Sequence, residues 1–349
     1  MRSRIVEEDL KFITDADLPW EQFSGKTVLI SGAAGNLAFY MVNSLMYLNE
    51  QKKANIRIVG LVRDRPKAEA RYASSPGCVN PEFIEQDVCD EITFDDKIDF
   101  IIHMASPASP KIFHEDPVGT ILPNVIGTRN LLDLAVRKKV EGFLLFSTTG
   151  VMGFLAPEDY PATEDRYGGL DSMAISSCYL ESKRIAETMC VAWMQQYGVP
   201  VKVIRPAITY GPGVDLDGGR SYEDLIAAIV NRTDIKLYSD GSAIRNFCYI
   251  ADATLGFFTV MLKGTVGEAY NVATDEETSI KDLAENLAYR IFPERNLRVI
   301  FETDDSKDYP RTNFSRTTVD IGKAKALGWR LSWPLDEGFK RVVRSCEGE

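Results

Sequence analysis

The sequence predicts an α/β fold, a doubly wound parallel sheet with a smaller C-terminal region that would bind substrate. Three observations lead there. Short, mostly apolar runs recur at residues 26–31, 56–62, 100–104, 143–146 and 201–204. Stretches with helical apolar spacing, among them 124–138 and 182–197, lie between them. Strands apolar on both sides that alternate with helices describe a parallel sheet covered on both faces. The first run also passes directly into a glycine loop and an apolar-periodic helix.

Residues 1–25 read as an extension packed on the body, with a short helix over 7–13 and Trp20 in the loop that follows. Residues 26–207 then form the dinucleotide-binding domain. After Pro206 the alternation stops: Gly211, Pro212, Gly213, Asp215, Asp217, Gly218 and Gly219 crowd one polar loop, ahead of one helix and short strands. A return segment at 249–274, with a strand at 270–273, rejoins the first domain. Residues 208–248 and 275–349 make up the substrate-binding region, closing over the carboxyl edge of the sheet where open α/β sheets bind ligands.

Composition narrows the function classes. The chain has 349 residues, 45% hydrophobic and 26% charged, which excludes disorder and a small disulfide scaffold. A core of this size needs neither staple nor metal. The net charge of -11 argues against nucleic acid or an anionic membrane as partner, so a bound phosphate must meet local positive charge. Cys78, Cys89, Cys178, Cys190, Cys248 and Cys346 are scattered without paired spacing, as in reduced thiols. Acids occupy the first ten residues, where a signal peptide would be apolar, and no run of about 18 apolar residues occurs. A cytoplasmic protein is expected.

The glycine loop suits a dinucleotide. Gly32 would make the tight turn, Gly35 would let the backbone approach a pyrophosphate, and Asn36 and Leu37 open the helix on whose amino end the phosphate rests. Taken alone, the loop also fits an ordinary strand-to-helix turn. The second strand ends in Leu61-Val62, and the usual ribose-binding acid is missing or displaced. Arg63 with Lys67 could grip a 2′-phosphate, which favours NADP, while Asp64 could serve NAD; a solvated charged loop reads the same way. Asp87 and Val88 follow a short strand where they could meet the adenine.

Tyr179 and Lys183 stand four residues apart, on one face of the 182–197 helix. A neighbouring ammonium favours the phenolate, bringing a group that titrates near pH 10 toward service as a general base for an alcohol. Thr148, ending the 143–147 strand, could share the substrate hydroxyl. His103 ends an apolar strand as a packed residue, His114 is exposed, and two histidines make a metal site improbable. Asp252 is expected to cap the helix that follows it.

With Asp99-Phe-Ile-Ile-His-Met-Ala105, Asn124-Val-Ile-Gly-Thr128, Arg205-Pro-Ala-Ile-Thr-Tyr-Gly-Pro212 and Leu327-Gly-Trp329, the chain over residues 26–345 resembles an extended short-chain dehydrogenase/reductase of the nucleotide-sugar epimerase, dehydratase and decarboxylase group. Ala105-Ser-Pro-Ala-Ser-Pro110, Ser177-Cys-Tyr-Leu-Glu-Ser-Lys-Arg184 and Arg245-Asn-Phe-Cys-Tyr249 are most similar to UDP-glucuronate decarboxylases. The resemblance implies a Rossmann domain holding NAD or NADP, with Met104, Ala105, Ser106 and Pro206 along the cofactor. It implies, on the substrate side, Asn124 helping to hold the active-site backbone and Arg245, Arg311 and Arg316, the arginines clamping a diphosphate. It implies a homodimer through helices 124–138 and 182–197.

One departure bears on the reaction. Where the decarboxylating and dehydrating members carry a Glu after the catalytic Thr, this chain has Gly150, which moves no proton. What remains is hydride chemistry at one carbinol: an NAD-dependent 4-epimerase of an NDP-hexose, or an NAD(P)H-dependent 4-ketoreductase or 4-dehydrogenase. Behind these stand a decarboxylase or 4,6-dehydratase using an acid from elsewhere, and a non-enzymatic NAD(P)-binding regulator.

Overall fold

Seven strands make one parallel sheet in the computed structural model, which describes residues 3–73, 75, 81–302 and 314–349. They are β1 (Thr27–Ser31), β2 (Arg57–Val62), β3 (Glu82–Glu85), β4 (Phe100–His103), β5 (Gly142–Phe146), β6 (Val201–Pro206) and, after four short strands, β11 (Ala269–Val272). Their order is β3-β2-β1-β4-β5-β6-β11. The direction of winding reverses between β1 and β4, and the crevice above that point is where such sheets take ligands.

Alternate residues of each strand feed two separate cores. Val28, Ile30, Ile102, Leu144 and Ile204 face one side; Leu29, Ile101, Leu145 and Val203 face the other. The first side is covered by α1 (Arg4–Asp15), α2 (Asn36–Lys52), α3 (Arg65–Tyr72) and, later in the chain, α9 (Ile250–Lys263). The second is covered by α6 (Thr128–Lys138) and α7 (Cys178–Tyr197), with α4 (Pro110–Glu115) and α5 (Pro117–Leu122) packed along α7.

The C-terminal region is assembled from small pieces. β7 (Ile208–Tyr210) pairs with β10 (Phe247–Tyr249), β8 (Ile235–Leu237) with β13 (Val299–Phe301), and β9 (Ile244–Arg245) with β12 (Thr278–Ser279). Around them lie α8 (Ser221–Val230), α10 (Ile280–Glu285), α11 (Gly322–Ala326) and α12 (Leu335–Cys346).

Some expected bounds change. The 124–138 helix is two elements: Pro123 has no N–H to donate, and a π turn over Pro123–Gly127 precedes α6. α7 begins at Cys178, not 182, which places Tyr179 in its first turn. The N-terminal helix is longer than residues 7–13, because Ile5, Leu10 and Ile13 form a buried stripe against α2 and α9. Asp252 does not cap its own helix. Wholly buried, it accepts from the N–H groups of Ser332 (3.0 Å) and Trp333 (2.9 Å) and ties down the approach to α12.

The extension is fastened by charge. Buried Asp9 accepts from the Tyr40 hydroxyl on α2 (2.9 Å), the Tyr249 hydroxyl on β10 (2.7 Å) and the Arg341 guanidinium on α12 (2.7 Å). Arg341 lies 4.2 Å from the ring of Trp333. Among the described residues, no helix is long and apolar enough to cross a membrane, and Cys89, Cys178, Cys190, Cys248 and Cys346 are free thiols; Cys78 lies outside them.

Candidate active site

The glycine loop is built for close approach. Gly32 has φ +68°, and a Cβ there would stand 2.7 Å from Ala105 Cα, so both conformation and space demand glycine. Gly35 donates its N–H to the Gly32 carbonyl (2.9 Å) and serves as the N-cap of α2, an end that no side chain caps. Ser31 Oγ accepts from the N–H groups of Met104 (3.1 Å) and Ala105 (3.2 Å), fixing the end of β4 against that of β1. Asn36 and Leu37 follow, half-buried, with backbone amides in the first turn of α2. This cradle fits the pyrophosphate of a dinucleotide.

At the adenosine end, Arg63 and Lys67 are exposed. Asp64 accepts the Lys67 N–H at Oδ1 (2.8 Å) and caps α3. Asp87 likewise accepts the Cys89 N–H (2.8 Å). Val88 is buried with its side chain against Gly127, where a Cβ would stand 2.7 Å away, so it can offer a cofactor only its backbone. Ser106 and Pro206 are half-buried at the ends of their segments.

Tyr179, Lys183 and Thr148 converge. Thr148 stands beside the Tyr179 phenol and favours its ionised form, and it accepts the Gly150 N–H (3.2 Å). Lys183 is buried, donates to the Phe146 carbonyl (2.7 Å), and has its Nζ 5.9 Å from the Tyr179 ring centroid. Burial pushes the phenol up to about 12, against the pull of the Thr148 hydrogen bond and the Arg220 charge. Burial also brings the Lys183 ammonium down to about 7. Phe113 of α4 stacks on the Tyr179 ring, centroids 4.6 Å apart.

Asn124 ties α5 to α7. Fully buried, it donates to Thr120 O (3.0 Å) and Ser182 Oγ (2.9 Å), the residue before Lys183. It belongs to a polar chain. Ser31 Oγ meets His103 Nδ1 (2.7 Å), His103 Nε2 meets Thr128 Oγ1 (3.1 Å), and Thr128 donates to Asn124 O (2.5 Å). Because the Thr128 proton goes to Asn124, His103 must donate from Nε2 and accept at Nδ1. Burial holds its imidazole neutral, down at about 3.

Gly150 faces Leu180. A Cβ at 150 would lie 2.6 Å from Leu180 Cδ2, so the leucine beside Tyr179 fills the space where a longer side chain would start. Arg245 and Arg316 are brought together by a bridge between Ile244 and Arg316. Arg245 is buried and donates to the carbonyls of Ile244 (2.8 Å) and Phe314 (2.7 Å). Arg316 pairs with Glu277 (2.6 Å) and covers the Tyr160 ring. Arg311 lies outside the described residues. No His, Cys, Asp and Glu cluster suited to a metal occurs among them.

Arg220, Leu180 and Phe113 were not singled out in the sequence. Arg220 heads α8, donates to the Tyr222 hydroxyl (2.8 Å), lies 3.4 Å from Glu223, and acts electrostatically on Tyr179 across the cleft. The glycine-rich segment before it was the available signal.

Residues 28–273 match the NAD dependent epimerase/dehydratase family. The chain belongs to that family. This epimerase/dehydratase-family enzyme is similar to UDP-glucuronic acid decarboxylase 6 of Arabidopsis thaliana, 32% identical over 319 residues, 90% of this chain and 87% of that protein. It is 31% identical to UDP-glucuronic acid decarboxylase 1 of Danio rerio over 336 residues, 96% and 74% of the two chains. In fold it resembles the UDP-glucuronic acid 4-epimerase of Bacillus cereus, solved with UDP-glucuronic acid and NAD (TM-score 0.76, 21% identity, 92% and 99% covered). It also resembles the UDP-glucose 4-epimerase of Thermotoga maritima (TM-score 0.75, 20% identity, 92% and 98% covered). The family is one of NAD-dependent nucleotide-sugar enzymes, and the extended short-chain dehydrogenase/reductase architecture expected from the motifs is the one observed.

Proposed function

We propose that this enzyme is an NAD-dependent 4-epimerase of a nucleotide-linked hexose. The observation that carries this reading is an intact Thr148, Tyr179 and Lys183 set beside a Gly150 whose side-chain space Leu180 has filled. Tyr179, with Thr148 on its hydroxyl, takes the proton from the sugar C4 hydroxyl and returns it after the ring has turned. A bound NAD would supply the hydride acceptor for oxidation at C4 and the hydride for its reduction. Lys183 is poised to leave the Phe146 carbonyl for a ribose hydroxyl and to stabilise the phenolate. Gly32, Gly35, Asn36 and Leu37 would hold the pyrophosphate, and Arg245 with Arg316 would meet the sugar-linked diphosphate once Glu277 yields.

Decarboxylation, the activity named for the curated relatives, makes a further demand. Once C4 is a ketone, loss of a C5 carboxylate leaves an enolate whose C5 must be protonated. Gly150 supplies no acid for that step, and no carboxylate is among the groups acting on Tyr179.

A 4-ketoreductase that exchanges its cofactor is the second reading. Exposed Arg63 and Lys67 enter no ion pair among the described residues, and Asp64 is spent on α3, a pattern that suits the 2′-phosphate of NADP.

A homodimer accords with α5 and α7, which expose Val118, Ile121, Leu122, Ile185 and Val191. The apolar side of α6 is buried within the subunit, so the face available to a second copy lies one helix earlier than expected.

The deciding experiment is to denature the purified enzyme and identify the released nucleotide by mass spectrometry, then to offer UDP-glucose and UDP-glucuronate. Stoichiometric NAD and C4-epimer formation without loss of carbon dioxide are expected. Released NADP, or an empty site that prefers NADPH, would replace the epimerase by the reductase, and a pentose product would overturn both.

A further inference from the structure

Two consecutive residues at the end of α3 grip the phosphate loop. Tyr72 donates its hydroxyl to the Ala33 carbonyl inside the loop (2.7 Å), and Arg71 donates from Nη2 to the Asn36 side-chain oxygen (2.9 Å). The Arg71 guanidinium lies over the Phe39 ring, 5.0 Å from its centroid. A third segment closes on the same spot: a Cβ at Gly213, φ +81°, would stand 3.1 Å from the Asn36 oxygen and 3.7 Å from Arg71 Nη2.

This arginine is out of keeping with its surroundings. Its Nε is shielded from solvent and has no hydrogen-bond partner. Among the described residues the guanidinium forms no ion pair with a carboxylate, in a chain carrying 51 Asp and Glu against 40 Lys and Arg. Burial weakens its hold on the proton, with only the Tyr72 phenol and no carboxylate to offset it. Desolvated charges are normally paired, and one left over beside a ligand cradle is compensated by the ligand. The nearest such cradle is the amino end of α2, which no side chain caps and which begins at Asn36 itself.

We propose that Arg71 is a phosphate-binding residue of the cofactor site, held by Asn36 at the amino end of α2 to meet the pyrophosphate of the dinucleotide. The guanidinium would bring positive charge to the pyrophosphate from a helix outside the glycine fingerprint. The inference rests on the NAD dependence of the family and is independent of which reaction follows at C4.

The test is binding, not turnover. Arg71→Met and Arg71→Lys are compared with the unmodified protein by isothermal titration with ADP-ribose, NAD, 2′-AMP and adenosine at two salt concentrations. A charge-assisted contact of this kind predicts that Arg71→Met weakens ADP-ribose and NAD by about 10–100-fold. Adenosine should stay within about twofold, Arg71→Lys should keep part of the affinity, and the salt dependence should flatten. Unchanged ADP-ribose affinity, or equal loss for adenosine, would overturn the proposal. Loss confined to 2′-AMP would overturn it in favour of a 2′-phosphate subsite. Should Arg71→Met fail to fold, Asn36→Ala releases the guanidinium without removing it. A loss for ADP-ribose larger than for adenosine then supports the proposal, and no loss sinks it.

Discussion

Leu180 Cδ2 lies 2.6 Å from the point a Cβ on Gly150 would occupy. The two positions are thirty residues apart in sequence, yet one has grown into the space the other leaves. The space beside Thr148 is thus occupied by the tip of a leucine from the helix that carries Tyr179.

Gly150→Glu alone should destabilise the protein by about 1–3 kcal/mol, the usual cost of overpacking, and should release no carbon dioxide from UDP-glucuronate. Gly150→Glu with Leu180→Ala should recover stability. Thermal unfolding of the single and double variants, with a radiometric carbon dioxide assay, checks both.

Tyr179→Phe should lower turnover by about 100- to 10,000-fold while leaving NAD binding intact. With its phenol pushed up to about 12 before cofactor binds, activity should rise with pH above neutrality. Thr148→Val and Arg220→Met each remove a group that favours the phenolate, so each should move that rise to higher pH. Rates at pH 7 would fall and recover in alkali, which a pH profile of kcat/KM reads directly.

His103 gives a stability signature. Folded, it stays neutral down to about 3, whereas the unfolded chain takes up a proton near 6.5. The unfolded state binds more protons between these values, so stability is full above 6.5 and lost as pH falls toward 3, by about 2 kcal/mol at pH 5. Urea unfolding at pH 7.5 and 5 should show the loss, and His103→Gln should abolish this part of it.

Asp9→Ala strips Tyr40, Tyr249 and Arg341 of their shared acceptor. Breaking one side of a buried ion pair typically costs about 3–5 kcal/mol. Chemical denaturation should show a loss of that order, smaller for Asp9→Asn, which keeps an acceptor for the hydroxyls.

The parallel sheet was legible because its strands are apolar on both faces, and Tyr179 with Lys183 because one helix turn sets their spacing. Gly32 was legible for the same local reason. What escaped depends on contacts across the fold. Asn124 ties Thr120 to Ser182 on the Tyr179 helix, a contact that exists only once α5 packs on α7. Asp64 also caps α3, a local role not singled out in the sequence. Arg220 reaches Tyr179 only because the loop after β7 folds over the cleft. Leu180 acquires meaning only against Gly150.

The Asp9 network has a mechanical consequence. A single carboxylate fastens the helix that springs from the phosphate loop to the last helix of the substrate side, and Ser3 Oγ adds a tie to the Glu349 carbonyl (2.9 Å). Any opening of the two halves at this back edge would have to break the buried Asp9 contacts first.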